Sequence, residues 1–105
     1  MKTQPLALAE ITAWFRSKQE SLKGSGVFLV GIKEGPAGPK PAAAADFDAT
    51  KTLGQITGWV SGEFDFDALR ASDGKDIPWR HADVSAVDQL EETYTGFLRM
   101  IQNPG

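Results

Sequence analysis

The chain has 105 residues, 41% of them hydrophobic, with six Phe and three Trp, which is one domain's worth of chain with material for a real core. It has no cysteine, which excludes a disulfide framework, a thiolate metal site and a cysteine nucleophile, and fits a reducing cytoplasm. The net charge of −3 hides a gradient: residues 1–45 carry six bases and three acids, whereas 46–92 carry eleven acids against Lys51, Arg70, Lys75 and Arg80, so nucleic acid is a poor partner for the second half and a basic protein surface a better one.

Lys2 followed by Leu6-Ala7-Leu8-Ala9 has the start of a signal peptide, but Glu10 interrupts the apolar run too early. Residues 4–23 read instead as a first helix. Leu8, Ile11, Phe15 and Leu22 recur at helical spacing with Trp14 beside them, Thr3 or Gln4 precedes Pro5 in the first turn, and Gly24-Ser25-Gly26 stops it. Val27 to Ile32 is short, β-branched and apolar on both parities, the pattern of a strand buried on both sides or covered at one end. Gly35-Pro36-Ala37-Gly38-Pro39 makes a loop. The four alanines 42–45 favour a helix by propensity, yet the run is boxed between Pro41 and Asp46-Phe47-Asp48 and too short for one, so it reads as a second strand. Ala49-Thr50-Lys51 then turns the chain.

Gly54-Gln55-Ile56-Thr57-Gly58-Trp59-Val60 and Glu63-Phe64-Asp65-Phe66-Asp67-Ala68-Leu69 form a hairpin around Ser61-Gly62. A two-residue turn would set the aliphatics of one strand on the face of the other's acids. A three-residue turn over Val60-Ser61-Gly62, with Gly62 left-handed, pairs Trp59 with Glu63. That register puts Gln55, Thr57, Trp59, Glu63, Asp65 and Asp67 on one face and Ile56, Gly58, Phe64, Phe66 and Ala68 under the helices. A one-residue slip would flip every side chain, and burying Phe64 and Phe66 is worth about 2–3 kcal/mol each, so the bulged register is expected. It predicts a tryptophan on an acidic, open sheet face.

Asp73-Gly74 is a hairpin turn, and Asp76 to His81 a short last strand in which Pro78, lacking a donor, demands an edge or a bulge. Val84, Val87, Leu90, Tyr94, Phe97, Leu98 and Ile101 form the stripe of a final helix that Asp83 or Ser85 can cap and Pro104-Gly105 ends. The expected architecture over residues 1–105 is therefore a single α+β domain: an N-terminal helix, an antiparallel meander of about five strands and a C-terminal helix, with both helices on one face of the sheet.

No reaction centre emerges. His81 is the only histidine, and with Asp76 and Asp83 nearby it could serve as a base, but a lone histidine beside a helix start is more often a cap or surface residue. Glu63, Asp65 and Asp67 lie collinear on a flat strand and do not wrap a cation. No phosphate-binding glycine loop or nucleophile elbow is present. No cofactor and no catalytic or metal residue is expected, and no segment has the length of a membrane span.

The run Gly54, Ile56-Thr57, Trp59, Ser61-Gly62-Glu63, Asp65-Phe66 and Leu69, with Gly74 and His81 further on, resembles the TriTu family of bacterial immunity proteins. The likeness extends to the length, the helix containing Trp14-Phe15 and the final amphipathic helix. The alanine run and the Gly/Pro-rich loop depart from it. The resemblance implies a small cytoplasmic antidote to a toxin delivered by a secretion system, notably an ADP-ribosyltransferase. It implies stoichiometric binding of the toxin's C-terminal domain; the free chain is expected to be a monomer, and the charge distribution and the lack of a long apolar segment argue against nucleic acid or a membrane as partner. On this reading Trp59 anchors the contact, Gln55, Glu63, Asp65 and Asp67 surround it, and Asp46 and Asp48 on the preceding strand extend it. A small acidic secretion chaperone is the rival from another class; it would act as a dimer gripping an unfolded segment.

Overall fold

The computed structural model describes residues 5–35 and 41–103. The segment 36–40, the Thr3 or Gln4 cap and the terminal Pro104-Gly105 lie outside them. A helix, α1 (Leu8–Ser21), leads into five strands: β1 (Val27–Glu34), β2 (Ala42–Ala49), β3 (Thr52–Trp59), β4 (Glu63–Arg70) and β5 (Asp76–Asp83). A short 3-10 turn (Val87–Leu90) runs directly into the second helix, α2 (Glu91–Gln102). The strands form one antiparallel sheet in the order β1-β2-β3-β4-β5, the expected meander.

Period-two burial is carried most cleanly by β2, β3 and β4. Ala43, Ala45, Phe47, Ile56, Phe64, Phe66 and Ala68 are all buried on one face. Both helices lie on that face. Trp14 of α1 meets Phe64 edge-on at 6.3 Å between centroids, and Phe97 of α2 meets Phe66 at 5.4 Å and Phe47 at 6.2 Å. Gly54 gives α2 its close approach, since a β-carbon there would stand 2.9 Å from the Phe97 ring. At the far end of α2, the buried Thr52 hydroxyl donates to the Ile101 carbonyl, satisfying one of the acceptors a helix terminus leaves open.

The hairpin closes in the bulged register. Gly58 pairs with Phe64, Thr57 with Asp65 and Gln55 with Asp67, and Gly62 (φ +95°) donates its N–H to the Trp59 carbonyl at 2.9 Å. Pro78 meets both of its conditions at once. It lies on the edge strand β5, whose register slips between Phe66–Arg80 and Asp67–Pro78, leaving Trp79 as the extra residue.

Several expectations are corrected. α1 starts after Pro5, because the Leu6 N–H is taken by the Val60 carbonyl (3.2 Å) and Glu10 reaches back to the Ala7 N–H (3.2 Å). β2 continues through Asp46-Phe47-Asp48 to Ala49, so the turn is confined to Thr50-Lys51. Neither Asp83 nor Ser85 caps the final helix. The helix continues from the 3-10 turn without a side-chain cap of its own, and it is the start of that turn that the Gln89 carboxamide holds, accepting from the backbone N–H groups of Ser85 and Ala86 (2.8 and 3.3 Å).

The largest correction is β1. It is an edge strand, and its ladder slips between Leu29 and Gly31. The extra residue, Val30, breaks the alternation, so Val27, Leu29 and Ile32 pack on the core while Phe28 and Val30 stay 69% and 66% exposed. Apolar residues on both parities here mean one covered face and one bare apolar face.

Candidate functional site

With both helices on one face, no helix among the described residues covers the opposite face of the sheet, and the register arranges that open face in rows. The first row crosses all five strands as Phe28, Asp48, Leu53, Leu69 and Asp76, each opposite the next. The second holds Asp46, Gln55 and Asp67, with Val30 and Gly31 at the β1 end. The third runs Lys33, Ala44, Thr57, Asp65 and His81, and the fourth has Ala42 with Trp59, then Glu63 with Asp83.

Every residue singled out from the sequence falls on this face. Asp48 and Asp67 are exposed, whereas Asp46, Gln55, Trp59, Glu63 and Asp65 are half-buried. They are not gathered around Trp59, however. Trp59 lies six residues along β3 from Leu53, about 20 Å at the rise of a strand. The acids spread across all four rows.

Three local networks fix the polar side chains. Gln55 donates to Asp46 at 2.8 Å across the β2–β3 ladder, and Lys33 approaches the other Asp46 oxygen at 3.6 Å from β1. Ser61 in the turn donates to Glu63 at 2.7 Å. Across β4 and β5 the His81 Nδ1 sits 2.6 Å from Asp65, and its Nε2 sits 3.3 Å from Asp83. The Asp65 hydrogen bond is the main reason the His81 pKa rises above its ordinary value, with Asp83 adding to it against the opposing effect of desolvation. The Asp67 pKa is also raised above its ordinary value, through burial first and then the like charges of Asp65 and Asp76.

The chemistry of these groups is that of contact. His81 has carboxylates on both ring nitrogens. Among the described residues, Glu63, His81 and Asp83 bring three ligand atoms within 4.8 Å of one another, so these are the side chains able to share a divalent cation. They replace the Glu63, Asp65 and Asp67 set considered from spacing alone, because β5 brings His81 and Asp83 alongside β4.

What sequence reasoning missed is apolar. Among the described residues, Phe28, Val30, Leu53 (46% exposed) and Leu69 (38% exposed) are the large hydrophobic side chains left in solvent. They lie at one end of the open face, and Val30, Leu53 and Leu69 line a hollow of about 600 Å³ whose floor is Phe47, Gly54 and Ala68. Asp46, Asp48, Gln55, Asp67 and Asp76 complete its lining. The signal was available: Leu53 shares parity with Gln55, and Leu69 with Asp67, so the chosen register already placed both on the open side.

An acidic face with exposed apolar side chains is a surface suited to holding a protein partner. The comparisons give the chain a family. The model of the immunity protein TriTu family matches residues 9–100, and the chain belongs to that family. Its function is accordingly one of immunity, through a cognate toxin protein as partner. No curated protein matches the chain. Among the described residues, no helix is long and apolar enough to cross a membrane.

Proposed function

We propose that this protein neutralises its toxin by stoichiometric, non-catalytic binding through the open sheet face, covering the catalytic cleft of an ADP-ribosyltransferase-type C-terminal domain. The observation that carries this reading is the composition of that face. Asp46, Asp48, Glu63, Asp65, Asp67, Asp76 and Asp83 lie on it together with the exposed Phe28, Val30, Leu53 and Leu69. Carboxylates complement a cleft built to hold the anionic dinucleotide NAD and accelerate encounter with it, while apolar anchors slow release. A standard interface removes about 800 Å² from each partner. That is a small part of the 6264 Å² surface and is within reach of one sheet face.

In this reading Trp59, Gln55, Glu63, Asp65, Asp67, Asp46 and Asp48 contact the toxin, and the protein acts in the bacterial cytoplasm as a monomer. The test is co-expression with the toxin domain encoded beside it. The native chain protects the cell and forms a one-to-one complex, and Trp59→Ala combined with Asp65→Lys folds but protects less. Full protection by that double variant would move the contact off this face. A dimer that binds only the unfolded toxin would instead favour the secretion-chaperone class.

A further inference from the structure

The two ends of the open face differ, and the difference specifies what each can hold. At the Trp59 end the polar groups have partners close by: Glu63 with Ser61, and His81 with Asp65 and Asp83. At the hollow the balance is reversed. Among the described residues four carboxylates line it and no lysine, arginine or histidine does, while Lys33 approaches Asp46. Among the described residues, Asp48, Asp67 and Asp76 have no cation within ion-pair distance. Between them stand Leu53 and Leu69, which are cross-strand neighbours, and Leu69 is itself opposite Asp76 and two residues from Asp67 on the same face.

We propose that the hollow lined by Val30, Leu53 and Leu69 is the anchor site for an arginine carried on an apolar loop of the toxin, with the guanidinium set against Asp67 and Asp76. The proposal rests on the toxin-binding reading above and moves its centre from Trp59 to the opposite end of the sheet. Arginine suits the site better than lysine. Its methylene stem covers apolar surface, its planar head is weakly hydrated, and its fork of donors serves two carboxylates at once. The free protein leaves Asp67 partly desolvated beside Asp65 and Asp76, and an incoming cation relieves both costs. A second copy of the chain is a poor occupant, because face-to-face association would oppose acids with acids.

The experiment has two arms. In the first, n-butylguanidinium and n-butylammonium are titrated into the isotope-labelled chain, with amide shifts as the readout. Saturable shifts confined to residues 46–48, 53–55, 67–69 and 76 are expected, tighter for the guanidinium and abolished in D67N/D76N. Scattered shifts, or shifts that persist in that variant, overturn the site, and so does a concentration-dependent dimer broken by Leu53→Ser. In the second arm the toxin domain is bound to Leu53→Ser, Leu69→Ser and Trp59→Ala, each checked for native circular dichroism. Loss of roughly 100-fold in affinity, the scale of a hot spot, is expected for the leucine variants and much less for Trp59→Ala. Hollow variants that bind like the native chain sink this inference and leave toxin binding standing. A native chain that fails to bind the toxin domain sinks both.

Discussion

The ring of Phe64 lies across the bare Cα of Gly58, its cross-strand partner, so closely that a β-carbon on Gly58 would stand 2.3 Å from the ring edge. Phe64 is fully buried and held on its other side by Trp14, so it has nowhere to retreat. Gly58→Ala is therefore expected to cost about 1–3 kcal/mol, the usual penalty of overpacking a core. Urea denaturation reads this directly. A smaller companion loss in Phe64→Leu/Gly58→Ala would confirm that the ring is the obstacle.

Gly62 is constrained more severely and by backbone. Its φ of +95° disfavours any side chain, and a β-carbon would stand 2.0 Å from the Val84 carbonyl oxygen. The same residue accepts the Val84 N–H at 2.8 Å, which ties the exit of β5 to the hairpin turn. Gly62→Ala should destabilise by about 3 kcal/mol or more, combining left-handed strain with a clash that no rotamer relieves. Gly74→Ala is the control. It shares a positive φ but has open space around it, so its cost should be only the conformational part.

These two glycines mark where the fold was legible. The alternation of Glu63, Phe64, Asp65 and Phe66 admits one buried parity, and Gly62 admits a three-residue loop, so the register followed from local chemistry. β1 was harder because parity is informative only where pairing is regular. The bulge at Val30 shifts the phase midway, and an apolar run that looked buried twice over is half exposed. The site was legible as a face but not as a place on it. Strand spacing assigns sides, whereas the hollow depends on β1 and β5 bracketing the first row, which no single hairpin specifies.

Glu91 joins the two helices. It accepts from the Trp14 indole N–H at 2.7 Å and forms an ion pair with Lys18, whose ammonium also sits over the Trp14 and Tyr94 rings. Burial works to raise its pKa, but the Lys18 and Trp14 hydrogen bonds outweigh it and hold the carboxyl below its ordinary value. Glu91→Ala should cost about 1–2 kcal/mol, because it strands the part-buried indole N–H and removes the ion-pair partner of Lys18. Glu91→Gln, which keeps an acceptor for Trp14, should recover part of that in the same unfolding experiment.

Tyr94 is the sole tyrosine, and its hydroxyl is buried with no hydrogen-bond partner among the described residues. Burial, with the Glu91 charge adding, pushes its pKa up to about 12. Absorbance of the phenolate should therefore report one group ionising well above the ordinary value of 10. The unfolded chain ionises first, so stability should fall as pH rises past that value. Tyr94→Phe should remove the alkaline loss and be neutral or stabilising by about 1 kcal/mol at neutral pH, since it deletes an unsatisfied buried group.

The Asp65–His81 pair supplies a pH dependence of its own. Its folded pKa lies above the ordinary 6.5, so the native state holds the proton over a window in which the unfolded chain has released it. The stability it contributes is thus complete below 6.5 and disappears as pH rises through the folded value. Asp67 has the same sign in a more acidic window, because its folded pKa also lies above its ordinary 3.8: stability falls as that carboxyl ionises. Urea midpoints measured from about pH 2.5 to about pH 9 should show both declines. His81→Gln should flatten only the upper one and Asp67→Asn only the lower. A His81→Gln profile that superimposes on the native one would mean that the 2.6 Å contact contributes nothing in solution.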